Sequence, residues 1–319
     1  MQDSVKVSVC CITYNHKPYL RQCIEGLLMQ KTTFPFEILI HDDASTDGTT
    51  DIVKAYAEKY PNLIRPIIQS VNQYSTKTRA LITTFLLPVA KGEYIALCEG
   101  DDYWTDPYKL QKQADILDHR ADISLCLHPA VTIGEDGKRK IRKGYASSRI
   151  VNESDIIRWK AYYWMTASFM YRKSLMKNYP HFCLNCYVGD ISLIYYMLTK
   201  GNIYYWNEVM SVYRKGVPGS HTKRSECLDY ESLQLKLQTQ IDMIDGINAM
   251  SNFKYNTYFV EKKVRLQLIV QKKKGKYDKA VVYNEFHDDL KQIAFHRRFK
   301  FLAKIYIRPY LIPYKVKTV

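Results

Sequence analysis

The sequence predicts an α/β fold, a mostly parallel sheet flanked by helices, followed by a basic helical C-terminal extension. Three observations carry that prediction. Apolar, β-rich runs alternate with helical patterns from Lys6 to Leu117. The runs close on polar or acidic residues, as strands of an open sheet do at their carboxyl ends. Beyond Thr222 the pattern becomes long, helical and cationic.

Lys6–Thr13 (KVSVCCIT) reads as a buried strand that ends at Tyr14-Asn15. Pro18 then opens a helix with Leu20, Ile24, Leu27 and Leu28 on one face. Glu37–His41 (EILIH) is a second strand, and Asp42, Asp43, Ser45, Asp47 and Gly48 form the loop after it. A helix follows from Thr49 to Tyr60, stopped by Pro61, and a short strand around Arg65–Gln69. Glu93–Cys98, delivered by Gly92, is the next strand and runs into Glu99-Gly100-Asp101-Asp102. Tyr108–Leu117 reads as a helix, Ile123–Leu127 as a strand and Gly134–Gly144 as a charged hairpin loop. Asp155–Trp159 is helical and Met165–Tyr171 strand-like. Asp190–Thr199 is a helix, and Ile203–Trp206 the last core strand.

Composition narrows the classes. Of the 319 residues, 46% are hydrophobic, enough for a full core and against disorder throughout. The formal net charge is +15, and the stretch from Thr222 to Val319 alone carries 20 Lys/Arg against 10 Asp/Glu. Such asymmetry points to an anionic partner for the tail. The opening residues MQDSVKVSVCCITYN lack a leader pattern, and Cys10, Cys11 and Cys98 sit in apolar runs as small buried hydrophobes. Cys183 and Cys186 form one CxxC with no second pair of matching spacing, so no zinc site is expected. A reduced cytoplasmic setting is expected. No run reaches the ~18 apolar residues of a membrane span. The longest candidate, Ala80–Ala90, is interrupted by Thr83, Thr84 and Pro88.

The acidic clusters carry the chemistry. Adjacent carboxylates after a buried strand repel each other unless a cation or donor network offsets them. Mg2+ and Mn2+ take hard oxygen ligands, one or two carboxylates with phosphate oxygens completing the shell. A metal–diphosphate docked on Asp101-Asp102 would have its leaving-group charge neutralised. The plainer alternative is a solvated turn capping the next helix, and Asp106-Pro107 fits that role by itself. Asp42-Asp43 can accept hydrogen bonds from a base or ribose, or can be ordinary turn formers.

Taken together, Val9–Asn15, Glu37–Thr49, Gly92–Leu110 and Gly189–Leu193, followed by Tyr213-Arg214, resemble glycosyltransferase family 2 in order and spacing. That resemblance covers roughly Val5–His221. It implies a GT-A, Rossmann-like catalytic domain over residues 1–221, with 222–319 as a helical basic region. The implied activity is inverting transfer of a sugar from a nucleotide-diphosphate sugar, a UDP-sugar first, to a hydroxyl of a glycan or lipid-linked glycan. The implied pathway is synthesis of bacterial surface polysaccharide, capsule included. By the same resemblance Thr13, Tyr14 and Asn15 lie near the base, Asp43 binds it with Asp42 beside, and Asp102 ligates Mn2+ or Mg2+ with Asp101 near the metal or ribose. Glu99 stands where many members carry Asp and is not assigned to the metal. Asp190 matches the general base, with the N-cap of its own helix as the structural alternative. Arg214 and His221 fall where the family closes a loop over the diphosphate. Trp104, Trp164, Thr166 and Ser168 are candidates to face the acceptor, Trp104 being equally a packing aromatic.

Lys291–Val319 holds 8 Lys/Arg, no acid, and apolar residues at helical spacing, which suggests an amphipathic helix on an anionic membrane. Peripheral attachment to the inner face of the cell membrane is the expectation, and packing of that helix on the protein the alternative. A nucleic-acid binder fits the charge but not the acidic clusters, and no nucleic-acid motif is present. A binding protein without catalysis would not need Asp190 and Asp102. A nucleotidyltransferase would carry a glycine-rich phosphate loop where this chain has Tyr14-Asn15-His16.

Overall fold

The structure, a computed structural model, describes residues 4–76, 80–158 and 164–273. It divides into two compact units, Met1–Leu228 and Asp229–Val319.

The first unit begins with β1 (Val7–Thr13), α1 (Lys17–Leu28), β2 (Phe36–Asp42), α2 (Thr49–Lys59), β3 (Ile64–Ile68) and β4 (Tyr94–Glu99). Leu20, Ile24 and Leu27 of α1, spaced four and three apart, are fully buried, each contributing about 1.5–3 kcal/mol relative to exposure. Between β3 and β4, where the longest apolar run lies, Ile82–Leu86 winds as a short π-helix. Gly92 admits β4 to the sheet: a Cβ there would meet the Ser8 backbone nitrogen at 2.3 Å. In place of a side chain, its N–H donates to Ser8 Oγ at 2.8 Å.

Next come β5 (Tyr103–Trp104), α3 (Lys109–His119), β6 (Ile123–Leu127), β7 (Ala130–Ile133), β8 (Arg139–Arg142), β9 (Arg149–Ile150) and α4 (Glu153–Ile157). β10 (Met170–Arg172), α5 (His181–Leu184), α6 (Gly189–Leu198), β11 (Asn202–Tyr205), β12 (Ser211–Arg214) and α7 (His221–Glu226) complete the unit. The main sheet runs β3-β2-β1-β4-β10-β6-β11-β9. β1 pairs in parallel with β2 and β4, β2 with β3, and β6 with β11, while β10 is antiparallel to both neighbours and β9 to β11. The mostly parallel α/β architecture anticipated from the sequence is the one observed.

A second, four-stranded sheet, β5-β12-β7-β8, has no counterpart in the sequence reading. Gly134–Gly144, read as a loop, holds β8, which pairs antiparallel with β7 around a tight turn at Gly137 (φ 71°). Ile203–Trp206 is followed by a further strand, β12, that pairs with β7 and β5. Met165–Tyr171 is not one strand. Ser168 returns both its N–H (2.8 Å) and its hydroxyl (2.7 Å) to the Met165 carbonyl, folding Thr166–Ser168 into a 3-10 turn before β10.

The second unit is described over 229–273. Asp229 caps α8 (Tyr230–Met250) by accepting the Ser232 N–H at 2.7 Å, and α8 packs on α9 (Asn256–Lys273). Asn252 and Phe253, both with positive φ, turn the chain between them. Among the described residues no helix is long and apolar enough to cross a membrane.

Candidate active site

A cavity of about 580 Å3 opens where β1, β2 and β4 end. Thr13 and Tyr14 from β1, Asp43 after β2, and Glu99 and Asp101 at the end of β4 line it, as does Asp190 from the first turn of α6. Four carboxylates therefore meet in one space. Burial raises the Glu99 carboxyl to about 8, and the charges of Asp101 and Asp190 add to that rise. Gly100 lets the acidic turn lie against β1: a Cβ at 100 would stand 2.7 Å from Thr13 Oγ1 and 3.0 Å from His16 Nδ1.

Asp43 is 2% exposed. Its carboxylate accepts the N–H groups of Gln73 (2.7 Å) and Tyr74 (3.0 Å), and its carbonyl accepts Asn72 Nδ2 at 3.2 Å. Asp42 does not line the cavity. Its carboxylate accepts from Ser45 N–H and Oγ and from Thr50 Oγ1, bracing the loop that carries Asp43. Asn15, at φ 54°, has a similar bracing role: its N–H donates to Ser45 Oγ at 2.8 Å, and its Oδ1 accepts the Thr46 N–H at 2.8 Å.

The acidic turn divides its labour differently from expectation. Asp102 is fully buried and outside the cavity lining, with Oδ1 accepting the Arg214 N–H at 2.9 Å and Oδ2 lacking a partner. Burial, with Asp101 and Glu99 nearby, drives its carboxyl well above the ordinary range. Asp101 and Glu99 are the carboxylates of this turn that line the cavity. Glu99 ends β4, and Asp101 follows it in a turn closed by the Asp102 N–H donating to the Glu99 carbonyl at 2.9 Å. Among the described residues no three His, Cys, Asp or Glu side chains form a metal cluster by themselves. Glu99 and Asp101 nevertheless fit a hard divalent ion in the usual way, as two carboxylates to be completed by phosphate oxygens.

Asp190 is not the N-cap of α6; Val188 holds that position, and Asp190 sits in the first turn, where the helix dipole favours its charge. Its Oδ1 accepts the Ile191 N–H at 2.8 Å. Arg214 is committed away from the cavity. Its guanidinium donates to the Asp101 carbonyl and Gln22 Oε1 and lies over the rings of Tyr103 (4.6 Å) and Tyr19 (5.1 Å). His221 begins α7, and its side chain lies outside the described residues. Trp164 and Thr166 line the cavity. Trp104 and Ser168 do not: Trp104 Nε1 donates to the Ala167 carbonyl at 2.9 Å beneath the Lys109 ammonium, and Ser168 is buried in its own turn.

Sequence reasoning left His16, Arg142, Lys215 and Arg224 unassigned, and all four line the cavity. His16 stands 3.9 Å from Asp101, yet burial holds its imidazole below the ordinary value. Arg224 of α7 lies 5.0 Å from the Tyr74 ring. No local motif marks Arg142 and Lys215, because β8 and β12 reach the cavity only through long-range pairing with β7.

A parallel sheet with carboxylates gathered at its strand ends over a single cavity defines a glycosyltransferase of GT-A architecture. The chain belongs to glycosyl transferase family 2, whose profile matches residues 8–185. It is 34% identical over 248 residues to an uncharacterized protein of Mycobacterium tuberculosis, covering 75% of this chain and 69% of that one. Over 126 residues it is 30% identical to a poly(ribitol-phosphate) beta-glucosyltransferase of Bacillus spizizenii, covering 38% and 19%. Among solved structures, S. aureus TarS 1–349 with UDP-GlcNAc aligns at TM-score 0.53 and 19% identity, covering 84% and 81%. The mannosyltransferase PcManGT of Pyrobaculum calidifontis, with GDP-Man and Mn2+, aligns at TM-score 0.53 and 15% identity, covering 97% and 81%. The chain is a glycosyltransferase.

Proposed function

We propose that the cavity takes a nucleotide-diphosphate sugar, a UDP-sugar first, together with Mn2+ or Mg2+, and transfers the sugar with inversion to a glycan hydroxyl. The observation that carries this reading is the convergence of Glu99, Asp101 and Asp190 on one cavity. Glu99 and Asp101 would hold the ion, which when bound supplies charge neutralisation at the diphosphate leaving group. This moves the metal role from Asp102 to Asp101; Asp102 instead anchors β12 through the Arg214 amide. Asp43, Thr13 and Tyr14 bind the nucleoside, on a loop held in shape by Asp42 and Asn15.

Asp190 takes the proton from the acceptor hydroxyl as its oxygen bonds to the anomeric carbon. The bond from that carbon to the diphosphate breaks on the opposite face, and the pair of electrons leaves with the nucleotide. Arg224 answers the diphosphate charge, the role first expected of Arg214 and His221. Trp164 and Thr166 border the acceptor. The UDP-GlcNAc bound by TarS and the GDP-Man and Mn2+ bound by PcManGT support the donor class and the ion.

The test is nucleotide release from a panel of UDP- and GDP-sugars with Mn2+ or Mg2+ present or chelated. Metal-dependent release from at least one donor is expected; none from any donor removes the reading. Attachment to membrane through Lys291–Val319, a stretch outside the described residues, rests on composition alone. It predicts that deleting the stretch abolishes pelleting with anionic liposomes.

A further inference from the structure

The wall of the cavity opposite the acidic turn has a chemistry that the donor does not use up. Residues 138–143 read Lys-Arg-Lys-Ile-Arg-Lys, and β8, formed by the middle four, is an outer strand of the four-stranded sheet. Lys138 pairs with Asp136 at 3.0 Å. Among the described residues, Arg139, Lys140, Arg142 and Lys143 have no carboxylate partner.

Pairing fixes which of these cations face the cavity. Lys140 lies opposite Thr132 of β7, and Thr132 opposite Tyr213 of β12. Cross-strand partners share a face. Thr132 and Tyr213 line the cavity, so the face carrying them continues outward to Lys140, with Arg142 and Lys215 beside it. Thr132, which lines this space, is 6% exposed, and its Oγ1 is buried with no hydrogen-bond partner. An unpaired hydroxyl on that wall is a group waiting for a ligand atom.

Two alternatives explain less. Charged side chains on an outer strand block pairing with another chain. That role accepts either sign and stops at the edge, whereas these charges are all positive and continue into the cavity. The donor diphosphate is the second alternative. β8 lies three strands from β5, which follows the acidic turn directly, and at 4.7–4.9 Å per strand that is roughly 14 Å. A diphosphate anchored beside Asp101 does not extend that far, so the β8 cations serve the other substrate.

We propose that β8 is a docking track for an anionic acceptor glycan, a chain carrying phosphodiesters or uronates that is led along Lys140, past Arg142, into the cavity. This rests on the transferase reading above and names the class of its acceptor. Its strength derives from many weak ionic contacts and falls steeply with salt. A lipid surface is disfavoured, since the track ends inside a cavity rather than on a flat exposed face.

The experiment measures binding of the full chain to poly(glycerol phosphate), to polygalacturonate, to neutral dextran and to phosphatidylglycerol vesicles, without donor. Wild type is expected to bind one or both polyanions, the preferred one identifying the anion, and not dextran. The variant Lys140→Gln/Arg142→Gln is expected to weaken polyanion binding at least ~10-fold and to flatten its salt dependence. The control Lys54→Gln/Lys59→Gln, which removes as many cations elsewhere, is expected to keep wild-type affinity. Equal affinity of the β8 variant and wild type overturns the proposal. So does an equal loss in the control, or a β8 variant that loses vesicles but keeps the polymers. If the double variant melts early, Lys140→Gln and Arg142→Gln singly carry the test, each weakening binding about threefold. Failure of the transferase reading is seen elsewhere, as absence of metal-dependent nucleotide release by wild type.

Discussion

The two walls of the cavity are built on opposite principles. The acidic wall belongs to the large sheet: Glu99 and Asp101 end a strand whose other residues are core, and Gly100 presses the turn against Thr13. The cationic wall belongs to the small sheet, whose strands come from Tyr103, Ala130, Arg139 and Ser211, far apart in the chain. Anions are held where burial makes their repulsion expensive without a counterion, whereas the cations of β8 stay in water, where charge is cheap to keep. The acidic wall is thus suited to a single tightly placed ion, and the cationic wall to a long, loosely held partner.

That contrast can be broken at several strengths. Asp101→Asn should lower metal-dependent turnover by about 10⁴-fold, since removing a divalent ion's anchor forfeits several kcal/mol of charge stabilisation. Mn2+ titration by calorimetry should show the lost site. Asp102→Asn, whose amide oxygen can still accept the Arg214 N–H, should keep Mn2+ binding, and the reverse ranking would return the metal to Asp102. Asp190→Asn should lower kcat by roughly 10²–10⁴-fold with donor KM little changed, read in steady-state kinetics.

Lys109 tests the cost of a cation kept out of water. It is fully buried, donates to Gln113 Oε1 at 2.7 Å, and burial lowers its ammonium to about 7. The folded state then binds fewer protons than the unfolded chain between about 7 and 10.4, so stability should rise with pH across that window. Between pH 7.5 and 9 the gain should be about 2 kcal/mol in urea unfolding, and Lys109→Met should lose that slope. The smallest effect concerns Arg224→Gln, which should raise donor KM about tenfold, roughly 1.4 kcal/mol. Arg214→Gln should leave KM nearer wild type and lower the melting temperature instead, because its guanidinium ties Gln22 to the Asp101 carbonyl.

What could be read from the sequence follows the same division. Apart from β5 and the π-helix at Ile82–Leu86, which were not predicted, the strands and helices as far as β6 lie within one or two residues of their predicted bounds, because burial periodicity and Pro or Gly punctuation act locally. Thr13, Tyr14, Asp43, Asp101 and Asp190 were named in advance, and the structure brings them together in one cavity with Trp164 and Thr166. The small sheet was not legible. β8 is composed of charged residues that read as loop, and β12 is four residues long; both are strands through their pairing with β7. The positions of Asp102 and Arg214 outside the cavity lining were not legible for a related reason. Adjacent acids look equivalent in a string, but β4 sends one to the cavity and the turn buries the next.

Gly100 and Thr13 also constrain how this chain can drift over generations. Any side chain at 100 displaces the Thr13 hydroxyl, so the turn and the end of β1 can change only as a pair. A lineage that replaced the glycine would first have to shrink residue 13, and would meanwhile loosen the floor on which Glu99 and Asp101 stand.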